Sequence, residues 1–232
     1  MSLLDRAHPE FNSNLAGLFV PSVPERYQDS KNKIIIVGRE TRAWNIPQRD
    51  DRTDLPAYLR ASMNKHGAFL VDQIAKPNSK GRAFHNFVRA VAKRSGGDGI
   101  VYCNLFCFSW NKSMPRLDSA LFKETIGPYS EALLKTQIDY FKPEIIIFAN
   151  GVTPASVRRQ FFPVDGVVCS NMRHYEEGYP ESISRKRLWE FTLYDTIRCL
   201  RINHPSSLSK VDARARQFLL SLLPPTPVGS VA

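Results

Sequence analysis

Three stretches of this chain are apolar at consecutive positions and rich in β-branched residues. The clearest, "KIIIVG" (33–38), ends on glycine, as expected of a strand buried on both faces of a parallel sheet. "GIVYCNLFCF" (99–108) and "PEIIIFANG" (143–151) repeat the pattern. A helical segment precedes each of these two. Phe84, Phe87, Val88 and Val91 recur at three- and four-residue spacing before a Gly-Gly stop, and Leu133, Leu134, Ile138 and Phe141 form a second stripe ahead of Pro143. Alternating strands and helices predict right-handed crossovers and a three-layer α/β/α fold around a mostly parallel four-stranded sheet.

The rhythm changes near the end. "RKRLWEFTLYDTIRCLRINHP" contains two short strands, 187–194 and 197–203, joined by a tight turn at Asp195. Past His204 the period is helical again, with Val211, Ala215, Phe218, Leu219 and Leu222 on one face until Pro224. His204 therefore sits at a strand-to-helix junction, where Ser206, Ser207 and Ser209 can cap the helix. Residues 1–30, rich in Pro, Ser and charge, are expected to form an N-terminal arm on the surface. Residues 31–223 form a single α/β domain, and 224–232, with three prolines, form a loose tail.

Open parallel sheets bind ligands at the carboxyl ends of their strands. Three polar residues occupy such ends: Glu40 after the first strand, Asn104 in the second, and His204 after the last. A buried amide such as Asn104 needs a partner, either a local structural bond or something bound.

Composition narrows the class. The chain has 232 residues, 43% of them hydrophobic, enough for one substantial core. Its formal charge of +10 favours polyanionic partners through counterion release. No apolar run reaches membrane-spanning length, and "MSLLDRAHPEF" lacks a signal-peptide core. No membrane association is expected, and the location is expected to be intracellular, cytoplasmic or nucleoid-associated. Cys103, Cys107, Cys169 and Cys199 show no metal-site spacing and are expected to be buried free thiols. No metal, iron–sulfur cluster or other cofactor is expected.

With these positions aligned, the chain resembles the uracil-DNA glycosylase superfamily. "IIIVGRETRAW" is similar to the family's first motif, "IVYCNLF" to its second strand, "FKPEIIIFANG" to its buried third strand, and "NHPSSLS" to its final His-Pro-Ser-Pro-Leu-Ser motif. The resemblance implies a uracil-DNA glycosylase-like fold and hydrolysis of the N-glycosidic bond of uracil or a related damaged base flipped out of DNA. It places Glu40 at the water-orienting acid, Asn104 at the reader of the base edge, His204 at the donor to the base oxygen, and Leu208 at the wedge entering the emptied stack. The departures are Glu40 in place of aspartate, Thr41-Arg42 in place of Pro-Tyr, and Ser207 in place of proline. "SNMRHYEEGYPESISRKR" (170–187) is expected to be an added surface loop.

The chemistry fits those residue types. Breaking an N-glycosidic bond builds positive charge on the sugar, which a carboxylate at Glu40 opposes. It also builds negative charge on the departing base, which an imidazole at His204 stabilises as an oxyanion hole does. Gly38 is placed among the substrate-binding residues, Asn104 reads the base edge, and an aromatic side chain, Trp44 ahead of Phe106 and Trp110, stacks on the flipped base. Ser206, Ser207, Leu208 and Lys210 are the expected DNA contacts, in a stretch (182–216) with eight Lys and Arg against three acids. The expected partner is single- or double-stranded DNA, bound by a monomer.

Each residue also has a plain structural role open to it. Glu40 can be an exposed loop acid, Asn104 a bond to a neighbouring loop, Trp44 a core aromatic and Leu208 a residue packed under the last helix. His85 and His174 are taken as helix-packing or surface residues. A catalytically altered nucleic-acid-binding protein of the same fold is the second hypothesis, and a nucleotide-directed hydrolase or transferase the third. No Gly-rich phosphate loop or GxSxG elbow is present for the last.

Overall fold

A computed structural model describes residues 17–41, 44, 54–176 and 182–226. Its centre is β1 (Ile34–Gly38), paired in parallel with β2 (Ile100–Asn104) on one side and β3 (Ile145–Phe148) on the other. β3 pairs in parallel with β6 (Ile197–Ile202), and β6 then pairs antiparallel with β5 (Leu188–Leu193), which pairs antiparallel with β4 (Cys169–His174). The order is β2-β1-β3-β6-β5-β4. The parallel half has four strands, but the whole is a six-stranded mixed sheet. The expected surface loop 170–187 holds most of β4, a strand whose mostly exposed side chains carry no apolar signal.

Every residue of β1 is buried, and alternation divides its side chains between two cores. Ile34 and Ile36 pack with Ile100, Tyr102, Ile147, Leu200 and Ile202, while Ile35 and Val37 join Val101, Cys103, Ile146, Phe148 and Cys199 on the opposite face. Helices cover both faces. The first face receives α1 (Leu55–Ala75), α2 (Ala83–Ser95) and α5 (Lys210–Leu222); the second receives a π-helical turn (Phe122–Ile126), α3 (Gly127–Phe141) and α4 (Ala155–Phe161). Helix α2 stops at Gly96, whose φ of 95° is available to glycine at low cost.

The hairpin between β5 and β6 turns at Tyr194 and Asp195, both at positive φ, the geometry of a type I′ turn. The described part of the N-terminal arm is built into the fold. Phe19 and Tyr27 are buried in opposite cores, and the Tyr27 hydroxyl donates to the Phe141 carbonyl at 3.1 Å. His66 of α1 pins the arm: its Nδ1 accepts from the Ser22 amide and its Nε2 donates to the Tyr102 carbonyl. Burial pushes this imidazole down to about 4, so it is neutral near pH 7. The start of the expected tail is likewise held, since Ser95 and Asn32 donate to the carbonyls of Pro224 and Pro225. Residues 1–16 of the arm and 227–232 of the tail lie outside the described residues. No described helix is long and apolar enough to cross a membrane.

Ile36 is fully buried at the centre of this arrangement. Ile36→Ala is expected to lower unfolding free energy by about 4 kcal/mol, measured as a reduced urea midpoint with an unchanged denaturant slope.

Candidate functional site

The parallel pairing places Gly38 directly beside Asn104. Both continue the alternation of the face covered by α1, α2 and α5, and Phe84 of α2 closes over them. A Cβ at position 38 would lie 2.5 Å from Asn104 Oδ1 and 3.1 Å from Phe84 Cζ. Glycine is required there by the close approach of these two side chains. Asn104 is half-buried, and its amide makes no side-chain hydrogen bond with the described residues. The alternative of a local structural bond is therefore not formed among the described residues.

His204 arrives at the same edge from β6. Its ring stacks on Phe84 at a centroid distance of 6.1 Å and an interplanar angle of 18°. The Ser206 amide donates to His204 Nδ1 at 3.2 Å, which leaves the proton of the neutral ring on Nε2 as a donor. Gly151, at a φ of 87°, lets the turn after β3 approach His204, where a Cβ would sit 3.3 Å from the histidine's own. Gly38, Asn104, Phe84 and His204 thus form one cluster.

The His204 loop is held by Asp212, a buried carboxylate in the first turn of α5. Asp212 accepts from the Ser207 hydroxyl, from Asn203 Nδ2 at 2.9 Å and from Arg187 Nη1 at 3.0 Å. Residues on both sides of His204 are thereby tied to one carboxylate. Ser209 occupies the N-cap position, but its side chain makes no capping bond. Ser206, Leu208 and Lys210 are exposed and Ser207 is half-buried. Leu208 is 98% exposed, so it does not pack beneath the last helix.

Glu40 is placed differently from the expectation of an open carboxylate. Its side chain is only 5% exposed, and both carboxylate oxygens accept from the Arg39 guanidinium. That bidentate pair takes up one accepting site on each oxygen and part of the carboxylate's charge. Trp44 packs edge-on against Phe19, His66 and Phe69, donates to the Ser62 hydroxyl at 3.3 Å and lies beneath Lys65. Intervening rings, among them Phe69, Tyr102 and Phe84, separate it from His204. Phe106 lies two residues past β2, fully buried against Phe122 in the core of the other face. Of the aromatics, Phe84 touches the cluster, while Trp44 and Phe106 do not.

Two residues at this edge carry little signal in the sequence. Phe84 belongs to a periodic helical stripe, and periodicity does not distinguish the ring nearest a strand end from those beneath it. Asn150, in the turn after β3, is fully buried, and neither its Oδ1 nor its Nδ2 has a hydrogen-bond partner among the described residues. An orphaned buried amide is rare enough to mark a position; only the "FANG" ending of the strand hints at it. The four cysteines are all buried and free. Burial raises the Cys107 thiol to about 12 and the Cys169 thiol to about 11, so neither is a ready nucleophile.

Compared with protein-family models, curated proteins and solved structures, the chain matches none.

Burial opposes ionisation of Asp212, but the bonds from Ser207 and Asn203 and the charge of Arg187 outweigh it and hold the carboxyl below its ordinary value. Its contribution to stability is complete above the ordinary carboxyl range, about pH 4, and is lost as pH falls through the lowered folded value. Asp212→Ala is expected to cost about 2–3 kcal/mol at neutral pH. Urea titrations at neutral and acid pH should show this difference from wild type shrinking on acidification.

Proposed function

We propose that the protein has a uracil-DNA glycosylase-like fold and hydrolyses the N-glycosidic bond of uracil, or a related damaged base, flipped out of DNA. The observation that carries this reading is the Asn104 amide, unpartnered within the described chain, clustered with His204 around Phe84 at one sheet edge. An amide on a rigid strand offers one acceptor and two donors in fixed geometry, and leaving them unmatched by the wrong base is costly. His204 Nε2 donates to the base oxygen as the glycosidic electrons move onto the departing ring, acting as an oxyanion-hole donor. Phe84 supplies an apolar ring surface beside that base, and Leu208, bare at the loop tip, enters the gap the base leaves. Lys210, exposed beside that loop tip, meets the strand's phosphates.

The pairing of Glu40 with Arg39 favours a second reading, in which the same site binds a flipped base without turning it over. A carboxylate shared with a guanidinium opposes positive charge on the sugar less effectively than a lone one. The two readings separate cleanly in one experiment. A single-stranded or mismatched oligonucleotide carrying one uracil is expected to become alkali-labile at that position when incubated with the protein. His204→Ala is expected to slow this by roughly 10²–10³-fold with little change in strand affinity. Absence of cleavage by folded wild type, together with salt-sensitive binding that His204→Ala and Glu40→Ala leave equal, sinks the enzymatic reading in favour of the second.

A further inference from the structure

On the opposite face of the sheet from His204, the same strand end carries a different chemistry. The alternation that sends Leu200 and Ile202 toward α2 and α5 sends Arg201 the other way, where it lies in register with Phe148 of β3 and Trp189 of β5. There it lines an open cleft of about 790 Å³, walled by α4, β5 and the segment before β5. Six cations line that cleft: Arg158, Arg159, Arg185, Lys186, Arg187 and Arg201. No carboxylate lines it among the described residues, and Arg187 alone of the six has an ion-pair partner, Asp212.

Two of these arginines are buried charges with no ion-pair partner among the described residues. Arg158 is 3% and Arg201 5% exposed. Arg158 lies over the rings of Phe148 and Trp189, at 5.9 and 5.5 Å, and its Nη1 has no hydrogen-bond partner. Arg201 donates through Nη1 to the Lys186 carbonyl at 2.7 Å, while its Nε has no partner. Burial pushes Arg158 down to about 10, and the like charges of Arg201 and Arg159 act in the same direction. Burial lowers Arg201 as well, with Arg159 adding to it and the more distant charge of Asp212 only partly offsetting it. Near pH 7 both remain charged, so the fold holds adjacent desolvated cations at a cost that an apolar side chain would avoid. An anion in the cleft removes that cost.

We propose that this cleft is a phosphate-binding site, taking a phosphoryl group carried by a nucleotide or a nucleic-acid strand. Guanidinium forks match the several oxygens of a phosphate better than the two of a carboxylate once more than one arginine converges. The volume exceeds that of a lone phosphate and leaves room for the sugar or chain that bears it. The site is separate from the His204 cluster and does not require that cluster to be catalytic.

Thermal unfolding of the full chain, with inorganic pyrophosphate, thymidine 5′-monophosphate or a single-stranded oligonucleotide added at matched ionic strength, tests the proposal. The wild-type midpoint is expected to rise saturably with pyrophosphate, beyond the effect of chloride. Arg158→Met, which keeps an unbranched apolar chain over Phe148 and Trp189, is expected to unfold no lower than wild type without phosphate and to weaken pyrophosphate binding roughly 10- to 100-fold. Arg185→Gln, at an exposed position, provides a second variant whose folding is not at stake and is expected to weaken binding severalfold. His204→Ala is expected to keep the full increment, so failure of this proposal is distinguishable from failure of the glycosylase reading. Competition by the strand identifies a phosphodiester as the natural ligand, and competition by the monophosphate alone identifies a free nucleotide. A wild-type increment no larger than that of chloride, or one of equal size and midpoint concentration in both arginine variants, overturns the proposal.

Discussion

The constraint on which this structure depends is that β1 is enclosed on every side. It is hydrogen-bonded to a strand on both edges and packed against helices on both faces, so none of its side chains within the sheet can be polar without an unpaired group in the core. Polar chemistry is thereby displaced to the places where the strands run out. Gly38, Asn104 and His204 stand at such ends because the sheet leaves them nowhere else to stand. The glycine follows from the same geometry: where two parallel strands end level, the amide of one and the helix above it claim the space a side chain would fill.

A strand end delivers a residue to the right edge but does not orient it. For His204 that work falls to a carboxylate eight positions further on, which binds the chain before and after the histidine and begins the last helix. Most of the charge around this loop is basic, and Asp212 is the counterweight that lets Arg187 and the loop coexist at close range. Arg158 and Arg201 on the other face have no ion-pair partner among the described residues. This contrast, within one strand end, separates a charge that holds the fold together from charges that the fold merely tolerates.

Much of the architecture was legible in the sequence, for a physical reason. Strands such as Ile34–Gly38 and Ile145–Phe148 are apolar on both faces, and α2, α3 and α5 carry periodic stripes. The count of four is short by two strands: β4, which is polar and mostly exposed, and β5, legible as a strand but joined antiparallel to the same sheet. Helix α1 was not anticipated either, since its buried face runs through Tyr58, Ser62, His66, Leu70 and Gln73, three of them polar and partnered in the fold rather than apolar. At the site, the three strand-end positions could be read from order along the chain, but their neighbours could not. That Arg39 would turn onto Glu40 and that Phe106 would dive into the opposite core are consequences of side-chain direction past the last paired residue, where the two-residue alternation no longer holds, and that Phe84 would close over Asn104 depends on how its helix docks on the sheet.

The outer edge of the sheet has a further bearing. β4 presents Arg173 and His174 among its exposed residues, and its pairing with β5 slips between Ser170 and Arg173. An edge that is charged and out of regular register is a poor template for another strand. Two copies of this chain meeting edge to edge would find a ladder whose rungs do not line up, and the continuous cross-chain sheet that leads to fibrils has no place to start on that side.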